Sequence, residues 1–259
     1  MAVNGACNLD CTYCYVDGSR PGQWNIEDLV KLFDEAIQLG MEKIQLSGGE
    51  PTLYRPLFTA IDHLHQRGTE ILLVTNGTTM TPEMARRLHE NGVIVGISLE
   101  SIVDEVDDAL TRSPGALSKK LQSIEMLKDE GYTRDVPLNI LIKTLKANEA
   151  TFIQTWQWAV SQGLQPILDR AIPGPRLTIQ EIMSPESLHY IMDELSGIQG
   201  IVHKIPFLYN EGCDRLKCGV HIETNGDILP CGGVKLPVAN AYQEGLTKAW
   251  KENELFAEC

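Results

Sequence analysis

The stretch Lys43–Glu50, which reads KIQLSGGE, sets the pattern from which the fold is predicted. A short apolar run is followed at once by two glycines and an acid, as expected for a strand that ends at a turn. Similar segments occur at 71–77 (ILLVTNG), 93–100 (VIVGISLE) and 164–170 (LQPILDR), and a further strand is predicted over 137–143. Helical periodicity fills the intervals, so these units are expected to build a parallel sheet.

Helices are predicted between these strands, at 26–39, 56–67, from 82 to about 91, 116–130, 149–162 and from 185 onward. Asn25 is a plausible N-cap of the first, and Thr81-Pro82-Glu83 is a typical start for the third. Right-handed crossovers with all helices outside would curl the sheet into a full or partial barrel. The chemistry of such a fold lies at the carboxyl ends of the strands.

The pattern changes near residue 200. The segments 221–224 and 227–229 flank Asn225-Gly226, which predicts a tight hairpin with positive φ at both turn residues. A helix is predicted over 242–256. The region 201–259 is too short for a core of its own but holds four cysteines, so metal ligation could supply stability. We therefore predict two domains, 1–200 and 201–259.

Composition and charge exclude several classes of protein. The chain has 259 residues, ordinary apolar content and a net charge of −13, which repels phosphate backbones and anionic membranes. There is no apolar run of transmembrane length and no basic, apolar signal segment at the start. We therefore expect a cytoplasmic protein with no nucleic-acid or membrane partner. In the cytosol, its seven cysteines are more often ligands or catalytic groups than disulfides.

Three of the cysteines form the segment Cys7-Asn8-Leu9-Asp10-Cys11-Thr12-Tyr13-Cys14. Three thiolates at this spacing can each bind one corner of a cubane iron–sulfur cluster. A [4Fe-4S] cluster needs four ligands, so one iron would stay open to a small chelating molecule. A zinc site with a distant fourth ligand, or coincidence, are the alternatives; zinc more often uses paired CxxC motifs.

The CxxxCxxC run, with an aromatic residue before its last cysteine, resembles the cluster loop of the radical S-adenosylmethionine (SAM) superfamily. In that family the open iron is chelated by SAM. An electron then cleaves SAM to methionine and a 5′-deoxyadenosyl radical, which takes hydrogen from the substrate, while the protein orients the cofactor and excludes side reactions. The resemblance implies that Cys7, Cys11 and Cys14 hold the cluster and that Tyr13 packs near the adenine.

The second motif is Gly48-Gly49-Glu50-Pro51, at the end of a predicted strand. Glycines let the backbone approach a ligand closely, and Glu50 could accept hydrogen bonds from an ammonium group. A plain strand-to-helix turn is the alternative. The motif lies where the superfamily places its GGE motif, and the resemblance implies that it holds the SAM amino group.

A third resemblance covers Gly96–Glu100 and the downstream Arg112, which are similar to the family's SLDG segment and its arginine. It implies that Ser98 and Arg112 hold the SAM carboxylate, a role that suits a guanidinium. Asn76 likewise resembles the strand end near the SAM ribose. For Arg112 an ordinary surface arginine, and for Asn76 a plain turn, are the alternatives. Glu100 stands where the family has aspartate, which leaves its role open.

The C-terminal cysteines resemble the auxiliary-cluster extensions called SPASM and twitch, which share a cysteine, a hairpin and a Gly-x4-Cys element. The resemblance implies one auxiliary [4Fe-4S] cluster, because a full SPASM domain needs more cysteines than are present. Its expected ligands are Cys213, Cys218, Cys231 and Cys259. The alternative for Cys213 is a buried thiol, with water or substrate completing the site.

These resemblances together predict a radical SAM enzyme with a partial (β/α)6 barrel and a C-terminal hairpin-plus-helix extension. The expected substrate is a small or carbohydrate-like molecule, oxidised with the help of the auxiliary cluster, since no room for a peptide-recognition domain is evident. A peptide- or protein-modifying maturase is the alternative, and flavodoxin or ferredoxin is the expected reductant. Asp169 and Arg170 are candidates for substrate contact, with structural salt bridges equally expected. A non-catalytic zinc-binding module is the rival from another class.

Overall fold

A computed structural model describes residues 1–16, 22–133, 136–196 and 219–256. The described residues divide into two compact units. The first unit comprises 1–6, 22–71 and 219–256, and the second comprises 7–16, 72–133 and 136–196. The predicted domain boundary at residue 200 falls outside the described residues and stays a prediction.

Six strands form one sheet in chain order, β1 to β6. The pairs β1–β2, β3–β4, β4–β5 and β5–β6 are parallel. The strands are β1 Ala2–Asn4, β2 Lys43–Gly48, β3 Glu70–Thr75, β4 Ile94–Ser98, β5 Leu138–Lys143 and β6 Gln165–Asp169. The helices are α1 Ile26–Gln38, α2 Leu57–Gln66, α3 Pro82–Glu90, α4 Asp104–Thr111, α5 Ala116–Asp129, α6 Glu149–Ser161 and α7 Pro185–Ser196. This alternation of parallel strands and helices confirms the predicted α/β class.

The predicted helix starts are confirmed where a capping residue marks them. The Asn25 side chain accepts a hydrogen bond from the Glu27 amide at the start of α1, and Thr81 accepts one from the Met84 amide at the start of α3. In the second unit, most residues of β4 and β5 are buried, as expected for central parallel strands covered by helices. Across the described ranges, no helix is long and apolar enough to span a membrane.

Sequence reasoning missed helix α4. It has eight residues, and its apolar positions Val106 and Leu110 make too short a stripe to show a period. Acidic residues in its first turn favour the helix, since they face the positive end of the helix dipole. The helix ends at Arg112, which has a left-handed backbone with φ 52°.

The C-terminal part of the first unit is a three-stranded antiparallel sheet of β7 His221–Ile222, β8 Asp227–Leu229 and β9 Ala239–Asn240. The hairpin between β7 and β8 is confirmed, but the predicted turn geometry is wrong. Only Gly226 has positive φ, and the Gly226 amide donates to the Glu223 carbonyl while the Glu223 amide donates to the Asp227 carbonyl. This pattern is a three-residue loop with glycine in the left-handed position, not a two-residue turn.

The single helix predicted over 242–256 is also wrong. The chain forms helices at Ala241–Glu244 and Leu246–Glu252 and a 3-10 turn at Glu254–Phe256. Gly245 separates the two helices with φ 77° and ψ 161°, an extended conformation open only to glycine, which interrupts the helical hydrogen bonds. The predicted hairpin-plus-helix extension is thus present with its helix divided.

Candidate functional site

The loop of residues 7–14, here called the cysteine loop, belongs to the second unit. Cys7 is exposed, Cys11 and Cys14 are half-buried, and none of the three is in a disulfide. Backbone hydrogen bonds attach the loop to the end of α4, from the Thr12 amide to the Leu110 carbonyl at 2.9 Å and from the Asp10 amide to the Thr111 carbonyl at 3.4 Å. The loop is therefore anchored by the helix that the sequence did not reveal.

The cysteine loop offers the donor chemistry of an iron–sulfur site, three cysteine thiols within eight residues and none of them in a disulfide. In the described part of the chain, no three His, Cys, Asp or Glu side chains are grouped so that they could hold a metal ion. The three thiols of the cysteine loop therefore do not converge on one point. Burial, and next the nearby Glu100, raise the pKa of Cys11 to about 12. The Cys11 thiol is therefore protonated in the metal-free protein, and a metal ion would have to displace that proton.

Asn76, at the end of β3, lies against the cysteine loop. Its amide nitrogen is 3.1 Å from Oδ1 of Asn8 and 3.8 Å from Sγ of Cys7. Its side-chain oxygen accepts a hydrogen bond from the Thr78 amide at 2.8 Å, so the residue also shapes the turn. The turn foreseen as the alternative for Asn76 is therefore present, and its place near the SAM ribose stays a prediction.

Tyr13 is the apolar anchor of the cysteine loop and is only 9% exposed. The Lys143 ammonium lies 5.8 Å from the centre of its ring, a cation–π distance. Burial, followed by the charge of Glu100, raises the pKa of Tyr13 well above its usual value. Tyr13 packs with a cluster formed by Leu110, Leu145, Ala171, Leu177 and Ile182.

Arg112 forms an ion pair with a residue of the cysteine loop. Its guanidinium is 3.2 Å from Asp10, which Arg176 also contacts. Hydrogen bonds from Arg176 and then Arg112 hold the pKa of Asp10 below its usual value. All three side chains are more than a third exposed, so this network positions the loop more than it stabilises the fold.

The other candidates of the second unit lie at strand ends. Ser98 is half-buried at the end of β4 and Arg170 is exposed just after β6. Asp169 forms a salt bridge with Lys143 across the parallel pair β5–β6. The structural role foreseen as the alternative for Asp169 is therefore present.

A buried charged trio lies next to the cysteine loop, made of Glu100, Asp107 and Lys120. The Lys120 ammonium is 2.7 Å from Asp107 and 3.7 Å from Glu100, and none of the three side chains is more than 1% exposed. Sequence reasoning missed Lys120. The signal was its position in the buried stripe of α5, between Leu117 and Ile124, where an apolar residue is expected.

In the first unit, the two glycines of the GGE motif lie against the backbone of residues 4–6, where a side chain would not fit. A Cβ on Gly49 would lie 2.6 Å from the Ala6 carbonyl carbon and 2.7 Å from the Gly5 oxygen, and one on Gly48 would collide with Asn4. The Glu50 amide donates to the Ala6 carbonyl at 2.7 Å. The close approach expected of these two glycines is therefore an approach to the backbone of residues 4–6, which leads into Cys7.

Glu50 itself is fully buried. Its carboxylate accepts hydrogen bonds from the Thr52 amide at 3.0 Å and the Thr52 hydroxyl at 2.6 Å, which caps the 3-10 turn Pro51–Leu53. One carboxylate oxygen of Glu50 therefore stabilises this 3-10 turn.

Cys231 is the one expected auxiliary ligand within the described residues. It is a half-buried free thiol just after β8, and the next residue, Gly232, lies close to the His221 ring. Cys213, Cys218 and Cys259 lie outside the described residues.

The model of the radical SAM superfamily matches residues 1–159, more than half of the chain. The chain belongs to the radical SAM superfamily. It is therefore one of a family of enzymes that bind a [4Fe-4S] cluster and SAM, as the cysteine motif predicted.

Individual relatives agree with the superfamily assignment. The chain is 24% identical over 289 aligned residues to an AdoMet-dependent heme synthase of Methanosarcina barkeri, covering 98% of this chain and 82% of that protein. The fold resembles Streptococcus suis SuiB bound to precursor peptide SuiA, with a TM-score of 0.80 and 15% identity over 99% of this chain. It also resembles anSMEcpe with bound AdoMet, with a TM-score of 0.75 and 19% identity over 99% of this chain and 80% of the other.

These likenesses confirm the predicted fold class, the partial barrel of radical SAM enzymes. The chain spans 64% of the SuiB chain, less than two thirds of its length.

Proposed function

We propose that this radical SAM enzyme reductively cleaves SAM and abstracts hydrogen from a small-molecule substrate. The observation that carries the proposal is the cysteine loop, with three cysteine thiols at CxxxCxxC spacing in a chain of this superfamily. When bound, the cluster and SAM supply a 5′-deoxyadenosyl radical that takes a hydrogen atom from the substrate. The protein holds the cofactors and keeps water from the radical.

Cys7, Cys11 and Cys14 are the proposed ligands of the SAM-binding cluster. Their loop is fixed at its centre by the packing of Tyr13 and at its backbone by the end of α4. The three cysteines would hold the cluster as thiolates, so loading would require the loss of their thiol protons.

The proposed SAM contacts are those implied by the superfamily motifs. They are Gly48, Gly49, Glu50, Tyr13, Asn76, Ser98 and Arg112. The contact of Asn76 with Cys7 supports its place next to the cluster loop. For Arg112, the ion pair with Asp10 shows a guanidinium already engaged by a carboxylate at the loop, which is the chemistry that SAM would require.

An auxiliary [4Fe-4S] cluster is proposed for the region 201–259, with Cys213, Cys218, Cys231 and Cys259 as ligands. This region is the second proposed domain. When bound, this cluster would accept an electron from the substrate or bind it, in support of an oxidation.

The proposed substrate class, a small molecule, agrees with the name of the heme synthase that aligns with almost the whole chain. A peptide substrate is the second candidate, favoured by the fold shared with SuiB, which was captured with its precursor peptide. A flavodoxin or ferredoxin is the proposed reductant, and the cytoplasm the proposed location.

The iron content of variants tests the proposed ligands. After anaerobic reconstitution, two cubane clusters give about eight irons and eight sulfides per chain. Cys11→Ser is expected to lose about half of the iron, and Cys231→Ser the other half, because each removes a ligand of a different cluster. A colourless, zinc-loaded protein would favour the non-catalytic metal-binding module instead.

Deuterium transfer tests the substrate class. The reconstituted enzyme would be incubated with SAM, dithionite and an extract of cells grown in deuterated medium, and deuterium in 5′-deoxyadenosine would be measured. Transfer that survives protease digestion of the extract is expected for a small molecule. Transfer that disappears after digestion would favour the peptide substrate.

A further inference from the structure

A closed network of side-chain hydrogen bonds joins the cysteine loop to the end of β3. Its members are Asn8, Asn76 and Thr78, all in the second unit. Asn76 donates to Oδ1 of Asn8 at 3.1 Å, and Asn8 donates to the Thr78 hydroxyl at 2.7 Å. That hydroxyl donates back to Oδ1 of Asn76 at 2.7 Å. The residue directly after Cys7 is thus attached to the sheet through two side chains.

The Thr78 backbone determines the orientation of the Asn76 amide. Oδ1 of Asn76 accepts a hydrogen bond from the Thr78 backbone amide at 2.8 Å as well as from the Thr78 hydroxyl. Turning the Asn76 amide by 180° would place its NH2 group against the backbone N–H, and two donors cannot bond to each other. The hydrogen-bond network therefore requires the Asn76 nitrogen to face the cysteine loop.

The turn that carries Asn76 is itself fixed. The Gly77 carbonyl accepts a hydrogen bond from the Ser123 hydroxyl of α5, and the Gly77 amide donates to the Thr75 hydroxyl at 3.0 Å. Gly77 is buried. A side chain supported in this way by the surrounding structure holds its polar group in one place, which is what a precise contact requires.

Two N–H groups approach the sulfur of Cys7. The Asn76 nitrogen lies 3.8 Å from Sγ and the Leu9 backbone amide lies 3.4 Å from it, both within hydrogen-bonding range of the large sulfur atom. The Leu9 donor belongs to the cysteine loop, whereas the Asn76 donor is supplied by the end of β3. An ionised acceptor forms stronger hydrogen bonds than a neutral one, so both contacts would be stronger with a thiolate than with a thiol.

We propose that Asn76, oriented by Thr78, is a positioning residue that holds Cys7 and, through an N–H···S hydrogen bond, raises the reduction potential of the cluster bound by the cysteine loop. The proposal rests on the proposed ligands Cys7, Cys11 and Cys14. Reduction adds negative charge that the sulfurs share, and a hydrogen-bond donor at a sulfur stabilises that charge. A higher potential makes the cluster easier for its electron donor to reduce.

The test is a redox titration of the reconstituted enzyme, followed by the EPR signal of the reduced cluster. Cys231→Ser serves as the background, so that only the SAM-binding cluster is titrated. Asn76→Ser keeps an oxygen that can accept from the Thr78 amide, as serine does in such turns, but removes the amide that approaches Cys7. At a fixed solution potential the ratio of reduced to oxidised cluster is expected to fall about threefold. This corresponds to a midpoint lower by about 28 mV, since a tenfold change is about 59 mV for one electron.

Asn91→Ser is the matched control, because Asn91 is half-buried in the same unit and its amide donates to the Arg87 carbonyl of α3 at 2.9 Å. It is expected to keep the parent midpoint. Thr78→Val covers the case in which Asn76→Ser does not fold. Valine keeps the backbone amide and loses the hydroxyl, so Asn76 retains one of its two anchors, and the midpoint is expected to fall by a smaller amount.

A purely structural role of Asn76 would lower the iron content of the variants while the loaded fraction kept the parent midpoint. A parent midpoint in Asn76→Ser, or in Thr78→Val where Asn76→Ser does not fold, would therefore overturn the proposal. If the Cys231→Ser background itself holds no EPR-active cluster, the proposed function fails and this proposal with it, which is a distinguishable outcome.

Discussion

Gly49 shows how a single missing side chain can control the segment before the first cysteine. Any Cβ at this position meets backbone atoms of Gly5 and Ala6, which cannot rotate away as a flexible side chain could. Gly49→Ala is therefore expected to lower the free energy of unfolding by about 1–3 kcal/mol. Reconstituted iron should fall as well, because the backbone entering Cys7 must shift.

Gly22→Ala is the matched control for Gly49→Ala. It lies in the same unit, has no left-handed φ, and its Cβ would be 3.8 Å from the Thr224 hydroxyl, an ordinary contact. Urea unfolding and iron analysis of both variants measure the difference. Equal stability and iron content in the two variants would refute this role of Gly49.

Glu223 gives the first unit an acid-sensitive contact. Burial alone would raise its pKa, but hydrogen bonds from His221 and Lys235 hold the pKa at about 2, against an ordinary value of 4.5. Because the folded-state pKa is the lower one, the stabilisation is present above about pH 4.5 and is lost as the pH falls toward 2. It amounts to at most about 3 kcal/mol.

Glu223→Gln is expected to flatten the fall in stability between pH 5 and pH 3, since glutamine has no proton to take up. Thermal unfolding at several pH values measures this. Glu42→Gln, a change at an exposed position in the same unit, should keep the slope of the parent. An unchanged slope in Glu223→Gln would contradict the ion-pair interpretation.

At the scale of elements, the C-terminal sheet depends on the loop between β7 and β8. Gly226 has φ 85°, and a Cβ there would collide with the Tyr242 ring and lie 2.9 Å from Oδ1 of Asn240. The Tyr242 ring also stacks on Trp24, with ring centres 4.4 Å apart. The loop at Gly226, the start of the helix at Asn240 and the stacked rings of Tyr242 and Trp24 thus pack together as one group.

Gly226→Ala is expected to lower the free energy of unfolding by more than the strain of a left-handed backbone alone would. Gly68→Ala is the control, because Gly68 has φ 72° with no atom within 4 Å of an added Cβ. The control should cost about 1–2 kcal/mol for its left-handed backbone, and Gly226→Ala about 1–3 kcal/mol more for the collision. Tryptophan fluorescence during urea unfolding reports both; equal losses would show that the ring can move aside.

Across the whole molecule, strands β2 to β6, the hairpin of β7 and β8 and most helices could be predicted because their apolar period and capping residues are local signals. Helix α4 and the division at Gly245 could not, since each depends on few residues and a weak pattern. The cysteine loop was found through its cysteine spacing and the aromatic residue before its last cysteine. Lys120 was not, because a buried lysine on an apolar stripe has meaning only beside Glu100 and Asp107, which lie 20 and 13 residues away.

The central claim is that the cysteine loop supports reductive cleavage of SAM. The most direct measurement is the amount of 5′-deoxyadenosine that the reconstituted enzyme forms from SAM and dithionite under anaerobic conditions. The parent and Cys231→Ser are expected to form it without added substrate, and Cys11→Ser to form none. Equal yields from Cys11→Ser and the parent, or no product from a parent with a full iron load, would contradict the account.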